Sequence, residues 1–184
     1  MYFKKLVGKK CYLSPMDVND AEKYTAWLND LETTSYLTLS SSVISLESER
    51  TFLENKSMAH NYAIVDSETN ELLGNAGLAD INHLHGTAEI GLFIGNKENW
   101  GKGYGTEALC LLLDYAYAKL NLHNIMLHVY SFNERAICCY EKVGFKPAGR
   151  LREAYIMNRT KHDILLMDIL PEDFYAKYKS TYHN

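Results

Sequence analysis

Three glycines at alternate positions run directly into an apolar helical segment, and this junction constrains the fold more than any other feature. Residues 99–107 read Asn-Trp-Gly-Lys-Gly-Tyr-Gly-Thr-Glu, and residues 108–120 continue as the predicted helix. Glycine leaves backbone N–H groups uncovered and tolerates positive φ. The N-terminal end of a helix carries partial positive charge. The junction therefore predicts a loop that binds a pyrophosphate.

Three kinds of pyrophosphate loop can be compared with this segment. A Walker loop requires Ser or Thr after its lysine, but Lys102 is followed by Gly103. The dinucleotide fingerprint has the spacing G-x-G-x-x-G directly after a strand, whereas here the spacing is G-x-G-x-G behind the polar segment 96–99. Coenzyme A is the third ligand that such a loop can hold. The loop alone leaves open coenzyme A and a glycine-rich turn that merely starts a helix.

Length and composition narrow the class of protein. A chain of 184 residues is expected to form a single domain over 1–184 with a sizeable core. The net charge of −4 argues against nucleic acid as a partner and fits a cationic substrate. The four cysteines form no C-x-x-C pair, which favours reduced thiols in the cytoplasm. We find neither a signal-peptide core nor an apolar run long enough for a membrane span, so no membrane association is expected.

The hydrophobic pattern predicts an α+β fold. Strand-like segments occupy 10–13, 61–66, 72–81, 88–94, 124–130, 145–157 and 161–170. Helical segments occupy 17–28, 46–58, 108–120, 133–143 and 173–178. The predicted order is β-α-α-β-β-β-α-β-α-β-β, closed by a terminal helix. Strands clustered in the middle with helices interspersed indicate a mixed sheet rather than a regular doubly wound one.

Two further motifs carry a resemblance to a known family. Residues 133–136 read Asn-Glu-Arg-Ala, and residues 140–145 read Tyr-Glu-Lys-Val-Gly-Phe. With the glycine loop after the fourth predicted strand, they resemble the GNAT acyltransferase superfamily over about residues 10–170. Trp100 stands where that family usually has Gln or Arg. Together with residues 149–154, Gly-Arg-Leu-Arg-Glu-Ala, it resembles the RimJ/RimL-type branch.

The resemblance implies a fold and an activity. The implied GNAT-like sheet is mixed and mostly antiparallel, has six to seven strands flanked by helices, and is splayed between strands 4 and 5. The implied activity is N-acetyl transfer from acetyl-CoA, without a metal, to a primary amine. The branch implies a protein N-terminus as acceptor and a homodimer as assembly. Residues 81–89 also resemble spermidine N-acetyltransferases, which implies a polyamine or another small-molecule amine instead.

The resemblance also assigns residues to the co-substrate. The backbone of Phe93 and Ile94 is implied to bind the pantetheine arm and the thioester carbonyl. Asn133 is expected to cap its helix, to contact pantetheine, or both. The full set implied to bind acetyl-CoA is Phe93, Ile94, Gly101, Lys102, Gly103, Tyr104, Gly105, Thr106, Asn133 and Ala136.

Two residues are candidates for proton transfer. Tyr140 has a phenol that can protonate the leaving thiolate, or it is an ordinary core tyrosine. Glu89 lies among apolar neighbours and is a general base, an amine anchor or a structural carboxylate. His83 and His85 lie two residues apart without a third ligand, so they are expected to line the acceptor mouth rather than bind a metal.

Two hypotheses of other classes compete with the enzyme. One is an acyl-CoA sensor that keeps the fold without turnover, against which the presence of both Tyr140 and Glu89 argues. The other is a nucleotide-binding module, against which the missing Lys-Ser/Thr pair argues.

Overall fold

The computed structural model describes residues 1–56 and 60–182, which contain eight strands and six α-helices. The strands are β1 (Leu6–Val7), β2 (Cys11–Pro15), β3 (Asn61–Asp66), β4 (Leu72–Asn82), β5 (Thr87–Ile94), β6 (Asn124–Tyr130), β7 (Lys146–Met157) and β8 (Thr160–Ile169). The helices are α1 (Ala21–Leu28), α2 (Leu31–Thr34), α3 (Leu46–Lys56), α4 (Tyr104–Leu120), α5 (Glu134–Val143) and α6 (Pro171–Tyr175).

All eight strands belong to one sheet in the order β1-β2-β3-β4-β5-β6-β8-β7. The pair β5–β6 is parallel, and the pairs β1–β2, β2–β3, β3–β4, β6–β8 and β7–β8 are antiparallel. This architecture confirms the predicted α+β class and mostly antiparallel sheet. The strand count is one higher than the six to seven expected. The additional strand is β1, whose two residues are too few to show any alternation.

The ladder between β5 and β6 is short. It joins Thr87 to Asn124, Ala88 to Ile125 and Glu89 to Met126. Beyond Glu89, strand β5 continues to Ile94, whereas β6 stays paired with β8 as far as Tyr130. The splay was predicted between the fourth and fifth predicted strands, which are β5 and β6 here, and the ladder that joins them consists of these three pairs.

Helix boundaries differ from the sequence pattern by a few residues. A 3-10 helix at Val18–Asp20 precedes α1, so the predicted start of the first helix is a tighter turn. The short helix α2 was not predicted, since four residues are too few to show a periodicity. Helix α3 runs to Lys56, and the predicted remainder to residue 58 lies outside the described residues.

The chain divides into two compact units. The first comprises residues 1–77 and 92–112, and the second comprises 78–91 and 113–184. The core of the first unit contains Tyr12, Tyr24, Leu53 and Val65 among its buried side chains. In the second unit, the buried residues Ile125 and Leu127 of β6 pair with Ile169 and Met167 of β8. Within the described ranges, no helix combines the length and the apolar composition needed for a membrane crossing.

Candidate active site

The glycine loop of the first unit has the geometry of an anion-binding helix start. Gly101 and Gly103 have φ angles of +74° and +90°, which side-chain-bearing residues rarely adopt. A Cβ atom built on Gly101 would meet no other atom within 4 Å, so the backbone there is open. Helix α4 begins at Tyr104, and the N–H of Glu107 donates to the carbonyl of Gly103 at 3.0 Å. Amides of the first helical turn point ahead of the helix, so the loop fits a pyrophosphate.

Trp100 holds the segment that leads into this loop. Its indole Nε1–H donates to the carbonyl oxygen of Ile94 at 2.8 Å. Its ring packs edge-on against Tyr36, with 6.0 Å between the ring centroids. Trp100 therefore fastens the loop entrance to the end of β5. The family motif usually has Gln or Arg at this position. Here the indole instead forms a hydrogen bond within the chain.

Glu107 fastens the same helix end to the turn between β1 and β2. Its carboxylate accepts hydrogen bonds from the amides of Lys9, Lys10 and Cys11 at 3.0, 2.7 and 2.8 Å. A Cβ atom on Gly8 would lie 2.7 Å from the carboxylate and 2.8 Å from the backbone carbonyl of Cys11, so the turn needs glycine there. The sequence pattern indicates no role for Glu107, because its partners are 96 to 98 residues away along the chain.

Two lysines lie at the loop, and the sequence indicated only one of them. The Nζ of Lys102, a predicted phosphate ligand, donates to Asn99 Oδ1 at 3.1 Å. The Nζ of Lys10 donates to the carbonyl of Lys102 at 2.7 Å and would lie 3.2 Å from a Cβ atom on Gly103. The loop therefore has two ammonium groups beside its backbone, which suits a ligand with several phosphate charges.

Tyr104 contributes a side-chain anchor besides its backbone amide. Its hydroxyl donates to Asp66 Oδ2 at 2.6 Å. This hydrogen bond, with burial, raises the pKa of Tyr104 to about 12. The phenol therefore stays protonated at neutral pH and keeps the first turn of α4 attached to the end of β3.

The carbonyl of Phe93 lies against β4, and the carbonyl of Ile94 accepts the hydrogen bond from Trp100. A Cβ atom on Gly74 would lie 2.0 Å from the carbonyl oxygen of Phe93, so β4 and β5 approach closely at this point. The Phe93 ring packs against Tyr24 and Trp27 at centroid distances of 6.2 and 6.1 Å. Their expected contacts with pantetheine remain a prediction.

Helix α5 of the second unit begins with a side-chain cap. Asn133 Oδ1 accepts from the amide of Ala136 at 3.3 Å, and Gly144 ends the helix with a φ of +127°. Ala136, Ile137 and Tyr140 are half-buried and share one face of the helix by their spacing. The face that contains Tyr140 is therefore partly accessible.

The phenol of Tyr140 is in its protonated form. Its ring packs against Phe145 at a centroid distance of 5.7 Å. Burial, with the neighbouring Cys139 thiol, raises the pKa of Tyr140 to about 12. The phenol therefore carries its proton throughout the neutral range and can donate a hydrogen bond to a group formed beside it.

Glu89 has a partner that the sequence did not indicate. Its Oε1 lies 2.9 Å from Nδ1 of His128, which projects from the neighbouring strand β6. Both side chains are partly exposed. The pairing was not predicted because the two residues are 39 positions apart, and the only local signal was the alternation of β6. Glu89 is therefore one half of a carboxylate–imidazole pair.

His83 and His85 lie in the exposed turn between β4 and β5. Asn82 Oδ1 accepts from the amide of His85 at 3.1 Å and so shapes this turn. Among the residues that the structure describes, no three His, Cys, Asp or Glu side chains come together as a metal site.

Comparisons with known proteins agree with this geometry. The profile of a family described as "Acetyltransferase (GNAT) domain" matches residues 10–146. An uncharacterized N-acetyltransferase p20 from Bacillus licheniformis is 27% identical over 174 residues, which are 92% of this chain and 97% of the relative. A spermidine N(1)-acetyltransferase from Vibrio cholerae is 35% identical over 111 residues, which are 60% of this chain and only 64% of the relative.

A solved structure extends the comparison over nearly the whole chain. It is the spermidine N-acetyltransferase from Vibrio cholerae in complex with CoA and spermine. The match has a TM-score of 0.82 at 26% identity and covers 91% of this chain and 99% of the other. By its sequence, its sheet and its glycine loop, this chain belongs to the GNAT family of N-acetyltransferases, enzymes that take an acetyl group from acetyl-CoA.

Proposed function

We propose that this enzyme acetylates a primary amine by direct attack of the amine on acetyl-CoA, and that the amine belongs to a polyamine. The likeness to a spermidine acetyltransferase at 35% identity carries the choice of acceptor. The net charge of −4 supports it, because an acidic protein attracts a polycation. A protein N-terminus is the second candidate, favoured by Trp100 and the RimJ/RimL-type motif around it.

In this proposal the first unit binds the co-substrate. The backbone of Gly101, Gly103 and the first turn of α4 takes the pyrophosphate, and Lys102 offsets its charge. Phe93 and Ile94 pair with pantetheine as a strand pairs with a peptide. Tyr104, Gly105 and Thr106 contribute amides of the first turn.

The second unit supplies the proton chemistry in this proposal. Glu89 acts as the base or as the anchor of the amine, and Tyr140 protonates the CoA thiolate as it leaves. Asn133 and Ala136 contact the pantetheine arm at the start of α5. The partly accessible position of Tyr140, on the face of α5 that it shares with Ala136, supports its role as acid.

The proposal extends to the organisation of the protein. Residues 1–184 act as one acyltransferase domain in the cytoplasm, where an enzyme of this kind meets both CoA thioesters and free polyamines. The RimJ/RimL-type motif further implies a homodimer, which light scattering on the purified protein tests.

The deciding experiment measures acetyl transfer by product mass. Acetyl-CoA is offered with spermidine, with short peptides that have free N-termini, and with amino-sugar nucleotides. We expect transfer to spermidine, and we expect Tyr140→Phe to lower turnover at least about tenfold with acetyl-CoA affinity little changed.

Tyr175→Phe is the matched control for the loss of a phenol hydroxyl. The Tyr175 hydroxyl donates to Asp114 Oδ1 at 3.0 Å, so its removal tests stability alone. We expect a lower Tm and unchanged turnover. Acetyl-CoA binding without transfer to any amine would instead favour the sensor hypothesis.

A further inference from the structure

The pair Glu89–His128 fixes the tautomer of the imidazole. The two groups lie 2.9 Å apart, and a carboxylate oxygen can only accept a hydrogen bond. Nδ1 of His128 therefore carries the hydrogen that points at Glu89. In the neutral ring, Nε2 is then left with a lone pair that can accept a proton.

The pair lies on the open face of its part of the sheet. Ala88 and Ile90 of β5 are buried, as are Ile125, Leu127 and Val129 of β6. Alternation then places Glu89 and His128 on the opposite face. Their side chains are 36% and 39% exposed, so a solute can reach them.

Space for a substrate group lies beside the pair. Gly91 follows Glu89 by two residues and shares its face of β5. A Cβ atom on Gly91 would meet no atom within 4 Å. An amine can therefore approach this strand closely, next to the carboxylate and the imidazole.

We propose that His128 is the general base of the acetyl transfer and that Glu89 is its positioning residue. This inference rests on the proposed function, and it refines the choice of base within it. The hydrogen bond to Glu89 Oε1 orients the imidazole, and it stabilises the imidazolium that forms when Nε2 takes a proton.

The acetyl transfer proceeds with a donor and an acceptor for every proton and electron pair. Nε2 of His128 takes one proton from the acceptor ammonium, and the free amine then attacks the carbonyl carbon of the thioester. A C–N bond forms, the C–S bond breaks, and the Tyr140 phenol protonates the thiolate. The second proton of the amine leaves as the amide forms and restores the phenol. The imidazolium releases its proton to water.

The charged groups around His128 come from three strands. Glu89 faces it from β5, and the residue directly opposite on β8 is the uncharged Leu166. Two positions further along β8, Asp168 shares this face and accepts from Asn124 Nδ2 at 2.9 Å. Lys146 of β7 lies opposite Asp168 and pairs with Asp173. Glu89 is thus the charged group in direct contact with the imidazole.

The test uses the pH dependence of kcat/KM for spermidine. A base is needed only while the amine is protonated, and a primary amine has an ordinary pKa of about 10. We expect His128→Gln to lower kcat/KM at least about tenfold at pH 7, with the deficit shrinking as the pH approaches about 10. Acetyl-CoA affinity and Tm should change little, whereas the loss of a histidine with a structural role would lower Tm.

Glu89 should act through His128. We expect Glu89→Ala to lower kcat/KM with the same pH dependence, and the double variant to lose no more than His128→Gln alone, since the two residues act as one unit. His123 is exposed, directly precedes β6 and lies outside the pair. His123→Gln is therefore the matched control, and we expect it to leave the rates unchanged.

Three results overturn the inference, and they are distinguishable. If wild type acetylates spermidine and Tyr140→Phe is impaired, but His128→Gln keeps the wild-type profile, the base is another group and the proposed function stands. If wild type transfers acetyl to no amine, the proposed function fails and the inference fails with it. A deficit in His128→Gln that is the same at pH 7 and pH 10 also contradicts a role as base.

Discussion

The glycine loop and the open face of β5 and β6 are built in opposite ways. The loop presents backbone amides, and its neighbours Trp100, Tyr104 and Glu107 are each held by hydrogen bonds to residues elsewhere in the first unit. The open face presents side chains, and Glu89 and His128 are hydrogen-bonded to each other. Backbone binding needs a rigid frame because a shifted loop loses several contacts together. Proton transfer needs exposed groups with an available lone pair, so the side chains that carry it out can have few other hydrogen bonds.

The largest effect should come from Gly74→Ala, and Gly91→Ala is the contrasting substitution. Gly74→Ala places a Cβ atom 2.0 Å from the carbonyl oxygen of Phe93, and backbone cannot move aside cheaply. We expect the free energy of unfolding to fall by about 3 kcal/mol. Gly91→Ala meets open space and should raise stability by about 0.5 kcal/mol. Urea denaturation of both variants measures the contrast.

The same pair sharpens the functional side of the comparison. Gly91→Ala should lower kcat/KM for the amine despite its unchanged or higher stability, because the methyl group occupies the approach to Glu89. Equal losses of stability at the two positions would show that the face of β5 is not open.

Glu107→Gln should weaken the frame of the loop. The three amides of Lys9, Lys10 and Cys11 would lose a charged acceptor, which we expect to lower the free energy of unfolding by about 2 kcal/mol. Acetyl-CoA should also bind several-fold more weakly, which calorimetry detects. Glu98→Gln is the control, because Glu98 is an exposed carboxylate on the 3-10 helix Lys97–Asn99 that precedes the glycine loop. Full stability with weak binding would instead make Glu107 a direct ligand.

Trp100→Phe should have the smallest effect. The ring contact with Tyr36 is retained in part, and the hydrogen bond to the Ile94 carbonyl is lost, which typically costs about 1 kcal/mol. We expect KM for acetyl-CoA to rise a few-fold with kcat nearly unchanged. A lower kcat at constant KM would mean that the indole acts on the chemistry rather than on the loop.

The sequence predicted those parts of the molecule that are encoded locally. The glycines at 101 and 103, the cap at Asn133 and the helical position of Tyr140 each follow from neighbours within a few residues. His128 and Glu107 were missed because their partners lie 39 and about 97 residues away, and only the fold brings them together. Lys10 was missed for the same reason. Strand β1 was missed because two residues show no period.

The hydrogen bonds of Glu107 have a consequence for synthesis on the ribosome. The turn after β1 emerges before the carboxylate that satisfies its three amides, which is made about 97 residues later. Until then these donors remain with water, since unpaired backbone groups cannot be buried without cost. The hairpin of β1 and β2 can therefore reach its final form only after Glu107 has been translated, which delays its completion relative to contacts between near neighbours in the chain.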